Sequence, residues 1–438
     1  MPARRGARGA MMIGVRVLIV TSGSTGDVAP YTGLGERLRA AGHDVTVATH
    51  EPFRDQVALA FVPLPGDLRE ILPRARGQDG KGSGTGPRAL ARLLRIARPL
   101  VAELGDGITA AVRQTRAEVV LLSTVVAPLG YQVAEAAGIP WAGVFPQPLF
   151  PTGDFGPVLA GGRSLGRTGN RWAGRLAVAA ARPLYHGPIR DLRARLGLPR
   201  RSLRRLQREQ EHRWPTFHGF SPSVVPRPAD WPPSQEVVGY WWPARTPGWS
   251  PPTEVTDFLA AGAPPVFIGF GSMAPGHGVR LAEPVLAAVR AAGVRAVVQA
   301  GWSGLRAGDD DPGVLSIGPL PHDWLFPRMA AVVHHAGAGT TAAGLRAGVP
   351  AVPVPVLADQ PFWARRLHDL GVSPAPIPLS RLSADRLAAA LTTVTADRRY
   401  SERARVMAAR LAGEDGAARI LSWLADLHDR RTPRPATH

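Results

Sequence analysis

The chain reads as an α/β protein built from two parallel-sheet domains in tandem. Three observations predict this. Short apolar runs alternate with longer segments in which Ala, Leu and Arg recur at helical spacing, the pattern of strands joined by crossover helices. The two halves open alike, with VLIVTSGSTGD from Val17 and VFIGFGSMAPG from Val266. Between them lies a Pro-rich aromatic stretch, Ser221 to Pro243, whose prolines suit a linker rather than a sheet interior. The expected division is residues 13–243 and 244–430, with the C-terminal helix free to pack back on the first domain. Two such sheets facing each other leave a cleft outside their strand C-terminal ends, where open α/β sheets bind ligands.

Val15–Thr21 is the first predicted strand, followed by helical spacing over Ala29–Ala41 and a stop at Gly42. Asp44–Thr49 and Phe61–Leu64 read as strands, and Gln78–Gly86 as a loop by composition. Arg88–Arg116 has helical patterning on either side of a break at Pro99. Glu118–Ser123 and Trp141–Phe145 are strands, with a helix at Pro128–Ala137 between them. From Phe150 to Pro228 the strand signal fades. Helical pieces near Arg175–Arg182 and Ile189–Leu196 suggest an excursion that covers a cleft. The alternation restarts with strands at Val266–Gly271, Ala296–Ala300 and Leu315–Gly318 and a helix at Leu281–Ala292. Ser383–His428 is helical throughout.

The chain has 438 residues, 45% of them apolar, enough for two cores. It has no cysteine, which excludes disulfides and thiolate chemistry. Its net charge of +18 raises a nucleic-acid or membrane reading. The basic residues are almost all Arg, with Lys81 the sole lysine, and they are spread widely. Solvated faces and a coding bias account for them, leaving a weak peripheral attraction to anionic membranes and no nucleic-acid partner. No run reaches the ~18 apolar residues of a membrane span. Residues 1–12 read as a disordered leader or misassigned start rather than a signal peptide, so the expected location is cytoplasmic.

The most informative stretch is Ala331–Arg366, AVVHHAGAGTTAAGLRAGVPAVPVPVLADQPFWARR. It runs strand, Gly-rich turn, helix, second strand, and then Asp359-Gln360 opening another helix. A helix N-terminus after a Gly turn offers unpaired N–H groups and positive potential to a phosphate, and an adjacent His adds a donor. The next strand-end loop falls at the same sheet edge. Such a layout holds a diphosphate with a polyhydroxylated group beside it.

These residues resemble the nucleotide-sugar signature of the GT-B glycosyltransferases that include the sterol glucosyltransferases and the glycopeptide-antibiotic glycosyltransferases, close to HHGGAGTT…AG-P…P…DQ-FW. Ala336 departs where the family has Gly. The resemblance implies a GT-B architecture, two Rossmann-like domains facing each other across a cleft. It makes His335 the donor to the diphosphate, helped by Gly337, Gly339, Thr340 and Ser272. It sets Asp359 and Gln360 against the sugar, and His322 and Trp302 along the base. Ala343 stands where plant-type relatives carry the Glu that holds the ribose, so uridine and thymidine diphosphates stay undistinguished. His334, one residue before His335 on a strand, should face the other way.

The first loop, Gly23-Ser24-Thr25-Gly26-Asp27-Val28, resembles the family's GSRGDV-PY, with Thr25 in place of Arg. By that resemblance Asp27 is the general base, with Ser24 positioning a ligand. Trp141 and Phe145 are candidate acceptor contacts, with Phe150, Phe155 and Trp172 further candidates. Each role has a structural alternative: helix capping by Asp27 and Asp359, a turn cap at Ser272, a buried structural histidine at 335 and plain core for the aromatics.

The implied activity is inverting transfer of a hexose or deoxyhexose from a UDP- or dTDP-sugar to a hydroxyl of a small apolar acceptor. No metal and no cofactor beyond the nucleotide-sugar co-substrate are expected. A sugar-nucleotide epimerase shares the twin-domain layout but lacks the DQ-FW element. A non-catalytic helper of a transferase has no need of Asp27 or His335. A dehydrogenase would need G-x-G-x-x-G, and the first loop has only G-x-x-G.

Overall fold

The structure is a computed structural model that describes residues 14–67, 87–245, 248–271, 278–299 and 311–431. The first sheet contains β1 (Arg16–Val20), β2 (Asp44–Thr49), β3 (Ala60–Pro63), β4 (Val119–Leu122), β5 (Trp141–Phe145), β6 (Thr216–His218) and β7 (Gln235–Val237). The second contains β8 (Val266–Gly269), β9 (Ala296–Gln299), β10 (Val314–Ile317), β11 (Ala331–His334) and β12 (Ala351–Pro353). The helices are α1 (Thr25–Ala40), α2 (Pro87–Thr115), α3 (Ala127–Ala137), α4 (Gly166–Ala180), α5 (Arg182–Arg195), α6 (Leu203–Arg213), α7 (Thr253–Ala260), α8 (Gly278–Ala292), α9 (His322–Leu325), α10 (Ala338–Ala347), α11 (Gln360–Asp369), α12 (Ala384–Ala396), α13 (Arg398–Ala412) and α14 (Ala418–Arg431).

Strand orders are β3-β2-β1-β4-β5-β6-β7 and β10-β9-β8-β11-β12, and every strand pairing among the described residues is parallel. Helices cover both faces, so central strands carry apolar residues on both sides. In β1, Leu18 and Val20 join one core cluster while Val17 and Ile19 join the other. In β8, Phe267 and Ile268 divide likewise. In each sheet the chain leaves the middle to one side and later returns on the other. The crossing points lie between β1 and β4 and between β8 and β11. At such a switch point adjacent loops diverge and open a crevice at the strand C-terminal ends.

The two sheets are tied together. Buried Ile420 and Leu424 of α14 join the apolar cluster of Val17, Ile19, Tyr31 and Trp241 on the first sheet. Trp241 Nε1 donates to the Gly416 carbonyl at 2.9 Å. Gly33 allows the connecting chain to lie against α1, since a Cβ there would sit 1.5 Å from the Trp242 carbonyl oxygen.

Several expected elements shift. α1 starts at Thr25, not Ala29, which carries Asp27 into its first turn. α2 runs unbroken through Pro99. A proline removes one backbone donor, and the buried face of Ala97, Val101, Leu104 and Ile108 holds the helix across the gap. The weak-signal region contributes α4, α5 and α6 plus the short strand β6. The C-terminal helical stretch is three helices, separated at Asp397 and at 413–417.

Candidate active site at the facing sheet edges

The loop after β1 folds around a carboxylate. Gly23 has φ +142°, and a Cβ there would approach Asp27 Oδ2 to 2.5 Å, so the position requires glycine. The Ser24 backbone N–H and its hydroxyl both donate to Asp27 Oδ2, each at 2.8 Å. Thr21 Oγ1 donates to the Asp27 carbonyl at 2.9 Å. Asp27 is thus the third residue of α1, in a capping box with Ser24, and Ser24 serves the aspartate rather than standing free. Burial raises the Asp27 pKa above its ordinary 3.8, and the Ser24 donors oppose the rise. One turn on, the Tyr31 hydroxyl donates to the Val144 carbonyl at 2.7 Å.

The facing edge is built at the β8–β11 switch point. His334 is buried, and its Nδ1 accepts the Ala336 N–H at 3.0 Å, which shapes the turn. Ala336 itself has φ +60°, so the position where the family motif carries Gly is a left-handed one. The His335 ring sits in a cradle of two glycines. A Cβ on Gly271 would lie 2.7 Å from its Cε1, and one on Gly337 would lie 2.5 Å from its Nε2. Burial lowers the His335 pKa to about 4. The ring is therefore neutral near pH 7 and retains one N–H. Its Nδ1 has no hydrogen-bond partner among the described residues.

Gly337 is the N-cap of α10 and supplies no side-chain cap. The Thr341 N–H bonds to the Gly337 carbonyl at 2.9 Å, which leaves the N–H groups of Ala338, Gly339 and Thr340 outside the helical ladder. His322 opens α9, where its ring stacks on Phe326 at 4.2 Å between centroids. Its pKa falls to about 4, through burial first and the neighbouring His335 second.

The third component is the loop after β12. Gln360 Oε1 accepts the N–H groups of Val356 and Leu357 at 2.8 and 3.1 Å, so only its NH2 remains to offer a ligand. Asp359 is the N-cap of α11 but makes no side-chain capping bond. Its Oδ2 accepts instead from Trp363 Nε1 at 2.9 Å. Burial raises the Asp359 pKa, the Trp363 donor opposes the rise, and the charge of Asp27 adds to it. Gln147, in the loop after β5, lies near enough to Asp359 to lower its pKa slightly. The first-domain aspartate and the second-domain aspartate are thus close enough for their charges to interact.

A cavity of about 320 Å³ opens at the same edge of the first sheet, walled by Phe145, Phe150, Phe155, Tyr185, Leu206 and Trp214 among others. Helices α4, α5 and α6 form its outer wall. The expectation for Trp141 needs correction. Trp141 starts β5 while Phe145 ends it, about 13 Å apart along the strand. Trp141 packs against Tyr131 and Trp214 at 4.8 and 4.2 Å between ring centroids and is absent from the cavity lining. Trp172 points outward, 70% exposed. Ser272 and Trp302 lie outside the described residues. Gln147 and the glycine cradle went unforeseen. Their position just past strand C-terminal ends was the available signal.

Among the described residues no group of three His, Asp or Glu could hold a metal ion, and no helix is long and apolar enough to cross a membrane.

Comparison with known proteins agrees with this geometry. The model of the glycosyltransferase family 28 N-terminal domain matches residues 17–154. That of the erythromycin biosynthesis protein CIII-like C-terminal domain matches residues 296–427. The chain is 36% identical over 438 residues to O-mycaminosyltylonolide 6-deoxyallosyltransferase of Streptomyces fradiae, covering 95% of this chain and 99% of that one. It is 34% identical over 390 residues to sterol 3-beta-glucosyltransferase UGT80B1 of Arabidopsis thaliana, covering 86% of this chain but only 62% of that longer protein. Among solved structures, the calicheamicin glycosyltransferase CalG4 superposes with a TM-score of 0.68 at 18% identity, over 96% of this chain and 100% of that one. Streptomyces sp. SF2575 glycosyltransferase SsfS6, complexed with thymidine diphosphate, gives 0.62 at 23% identity, over 93% and 99%. These two likenesses show the shared fold. With both sheets, both switch-point loops and a near full-length relative in agreement, the chain belongs to the GT-B glycosyltransferases that include the antibiotic and sterol glycosyltransferases, and it is an enzyme of that class.

Proposed function

We propose that this protein is an inverting transferase that moves a hexose or deoxyhexose from a UDP- or dTDP-sugar to a hydroxyl of a small apolar acceptor. Residues 13–243 would hold the acceptor and residues 244–430 the donor. The observation that supports the reading is that Asp27 of the first domain and Asp359 of the second lie close enough for the charge of Asp27 to raise the Asp359 pKa, with the His335 cradle at the C-terminal edge of the second sheet.

In this reading the donor diphosphate lies on the N-terminus of α10, between the free N–H groups of Ala338, Gly339 and Thr340 and the His335 ring. Asp359 accepts from sugar hydroxyls and the Gln360 NH2 donates to them. The acceptor enters the apolar cavity beside Phe145. Its hydroxyl oxygen attacks the anomeric carbon as the bond to the diphosphate oxygen breaks, and its proton passes to Asp27. One displacement inverts that carbon. An aspartate is a weak base for an alcohol, so the proton moves late, and burial of Asp27 brings its pKa in the useful direction. Negative charge grows on the departing diphosphate, where a neutral His335 N–H and the helix N-terminus stabilise it without moving.

The apolar cavity walls support the acceptor class, since Asn170, Gln132 and Tyr185 there are already engaged in internal hydrogen bonds. The test is a panel of UDP- and dTDP-sugars incubated with a promiscuous phenolic acceptor and read by mass spectrometry. A product heavier by one hexosyl or deoxyhexosyl unit is expected. Interconversion of the sugar nucleotide without transfer would indicate an epimerase and contradict the reading.

A further inference from the structure

Large apolar side chains are rarely clustered on a solvent face without a purpose. Among the described residues six are strongly exposed, and four of them fall in one segment: Leu159 at 58%, Leu165 at 61%, Trp172 at 70% and Leu176 at 64%. Trp172 and Leu176 are four apart on α4, and Leu165 immediately precedes the helix, on the same side. The opposite side of α4 is the packed one. Asn170 and Gly174 are buried there, and Asn170 donates to the Gly153 carbonyl at 2.9 Å. The exposed stripe is therefore a deliberate second face and not a frayed end.

The charge around it is one-sided. Leu159 to Arg182 contains Arg163, Arg167, Arg171, Arg175 and Arg182 and no Asp or Glu. Arg167 and Arg171 pair with Asp154 and Asp230 at 3.5 and 2.7 Å. Arg163 and Arg175 make no close ion pair among the described residues, although the charge of Arg175 acts on the nearby Glu211 and opposes the rise that burial causes in its pKa. A tryptophan and leucines flanked by arginines, whose stems can lie along apolar surface while their heads stay wet, match the interface of an anionic bilayer.

The same helix walls the cavity from within. Asn170, Gly174, Ala177 and Val178 line it, and Leu159 is at once exposed and part of the lining. We infer that α4 and the turn before it form a docking surface for an anionic phospholipid bilayer, set at the mouth of the apolar cavity. Docking there would let a lipid-dissolved apolar molecule enter the cavity without crossing water. The docking itself does not depend on the sugar-transfer reading.

The test is flotation of the full-length protein with vesicles of phosphatidylcholine and phosphatidylglycerol at seven to three, against pure phosphatidylcholine. Binding to the anionic vesicles and little to the neutral ones is expected. Trp172→Ser with Leu176→Ser leaves net charge unchanged and should weaken partition about tenfold or more. Arg163→Gln with Arg175→Gln should weaken it too. Arg381→Gln with Arg386→Gln, two exposed arginines of the second domain, should leave it within about twofold. Circular dichroism and melting checks that each variant folds. Equal binding by the Trp172/Leu176 variant, or equal losses from the two arginine pairs, would mean that a basic chain binds through its total charge and would overturn the inference. Sedimentation velocity showing a dimer that the Trp172/Leu176 variant abolishes would also overturn it, in favour of a second copy on this face.

Discussion

Asp27 has a structural role in the Ser24 capping box and, in the proposed function, a chemical one as well. Ser24 spends two donors on a single carboxylate oxygen, which orients the group and holds its pKa below what burial alone would set. Ser24→Ala removes one donor, so the Asp27 pKa should rise. The acid limb of the kcat/KM profile should then move to higher pH, because the base form is lost sooner on acidification. An unmoved limb would argue that another group controls it. Ala336 offers a separate test. At φ +60° its methyl costs about 1 kcal/mol relative to glycine. Ala336→Gly should therefore raise stability by about 0.5–1 kcal/mol in denaturant titration, offset in part by a more flexible unfolded chain. At this scale the sequence motif singles out Asp27, His335 and Asp359 as candidates, because sparse polar residues at strand ends leave a recognisable order. It could not reveal that Gln360 turns its carbonyl inward to Val356 and Leu357, nor that Gln147 reaches Asp359. Those contacts are set by packing between distant segments.

Elements explain why the site is glycine-rich. The α10 N-terminus needs an uncapped entry, and the His335 ring needs room on two sides. Gly337→Ala would push a methyl to within 2.5 Å of His335 Nε2. The ring would have to leave its cradle, and turnover should fall about 10²-fold, comparable to losing one preorganised donor. Circular dichroism should stay native, and wild-type turnover in the variant would refute the cradle. Strongly periodic strands such as β1, β4 and β11 were legible because burial on both faces demands continuous Val, Leu and Ile. α1 begins before the helical spacing at Ala29 because the Ser24–Asp27 capping box opens the helix earlier, with Pro30 held inside it. β6 and β7 are three residues each, too short for any periodicity, and α6 carries so many arginines that its apolar face shrinks to Leu206 and its neighbours. Trp141 is a candidate acceptor contact by residue type alone. The end of β5 on which an aromatic sits decides whether it meets the cavity.

The whole molecule places its titrating groups with opposite signs. His218, His322 and His335 have pKa values lowered to about 4, and His334 to about 3, burial being the largest cause for each. A histidine lowered on folding contributes stability that is complete above its unfolded value of 6.5 and is lost as pH falls toward 4. Asp27 and Asp359 are raised, so their contribution runs the other way. It is present below the unfolded 3.8 and is lost as pH rises through the folded values. Between about pH 6.5 and 4 the four histidines should dominate, and the melting temperature should drop steadily across that window. A flat profile there would show that the histidines are solvated in the folded state. The two-sheet architecture was readable from the repeated openings near residues 17 and 266, whereas the closeness of Asp27 to Asp359 depends on how α14 and the Trp242 segment lash the sheets together.

The central claim is that a carboxylate from the first sheet deprotonates the acceptor while the second sheet alone grips the nucleotide. Turnover and nucleotide-diphosphate affinity measured side by side for Asp27→Asn, the latter by calorimetry, test it most directly. Turnover should fall by at least about 10³-fold while the nucleotide Kd stays within about twofold of wild type. Parallel loss of both, or retained turnover, would contradict the account.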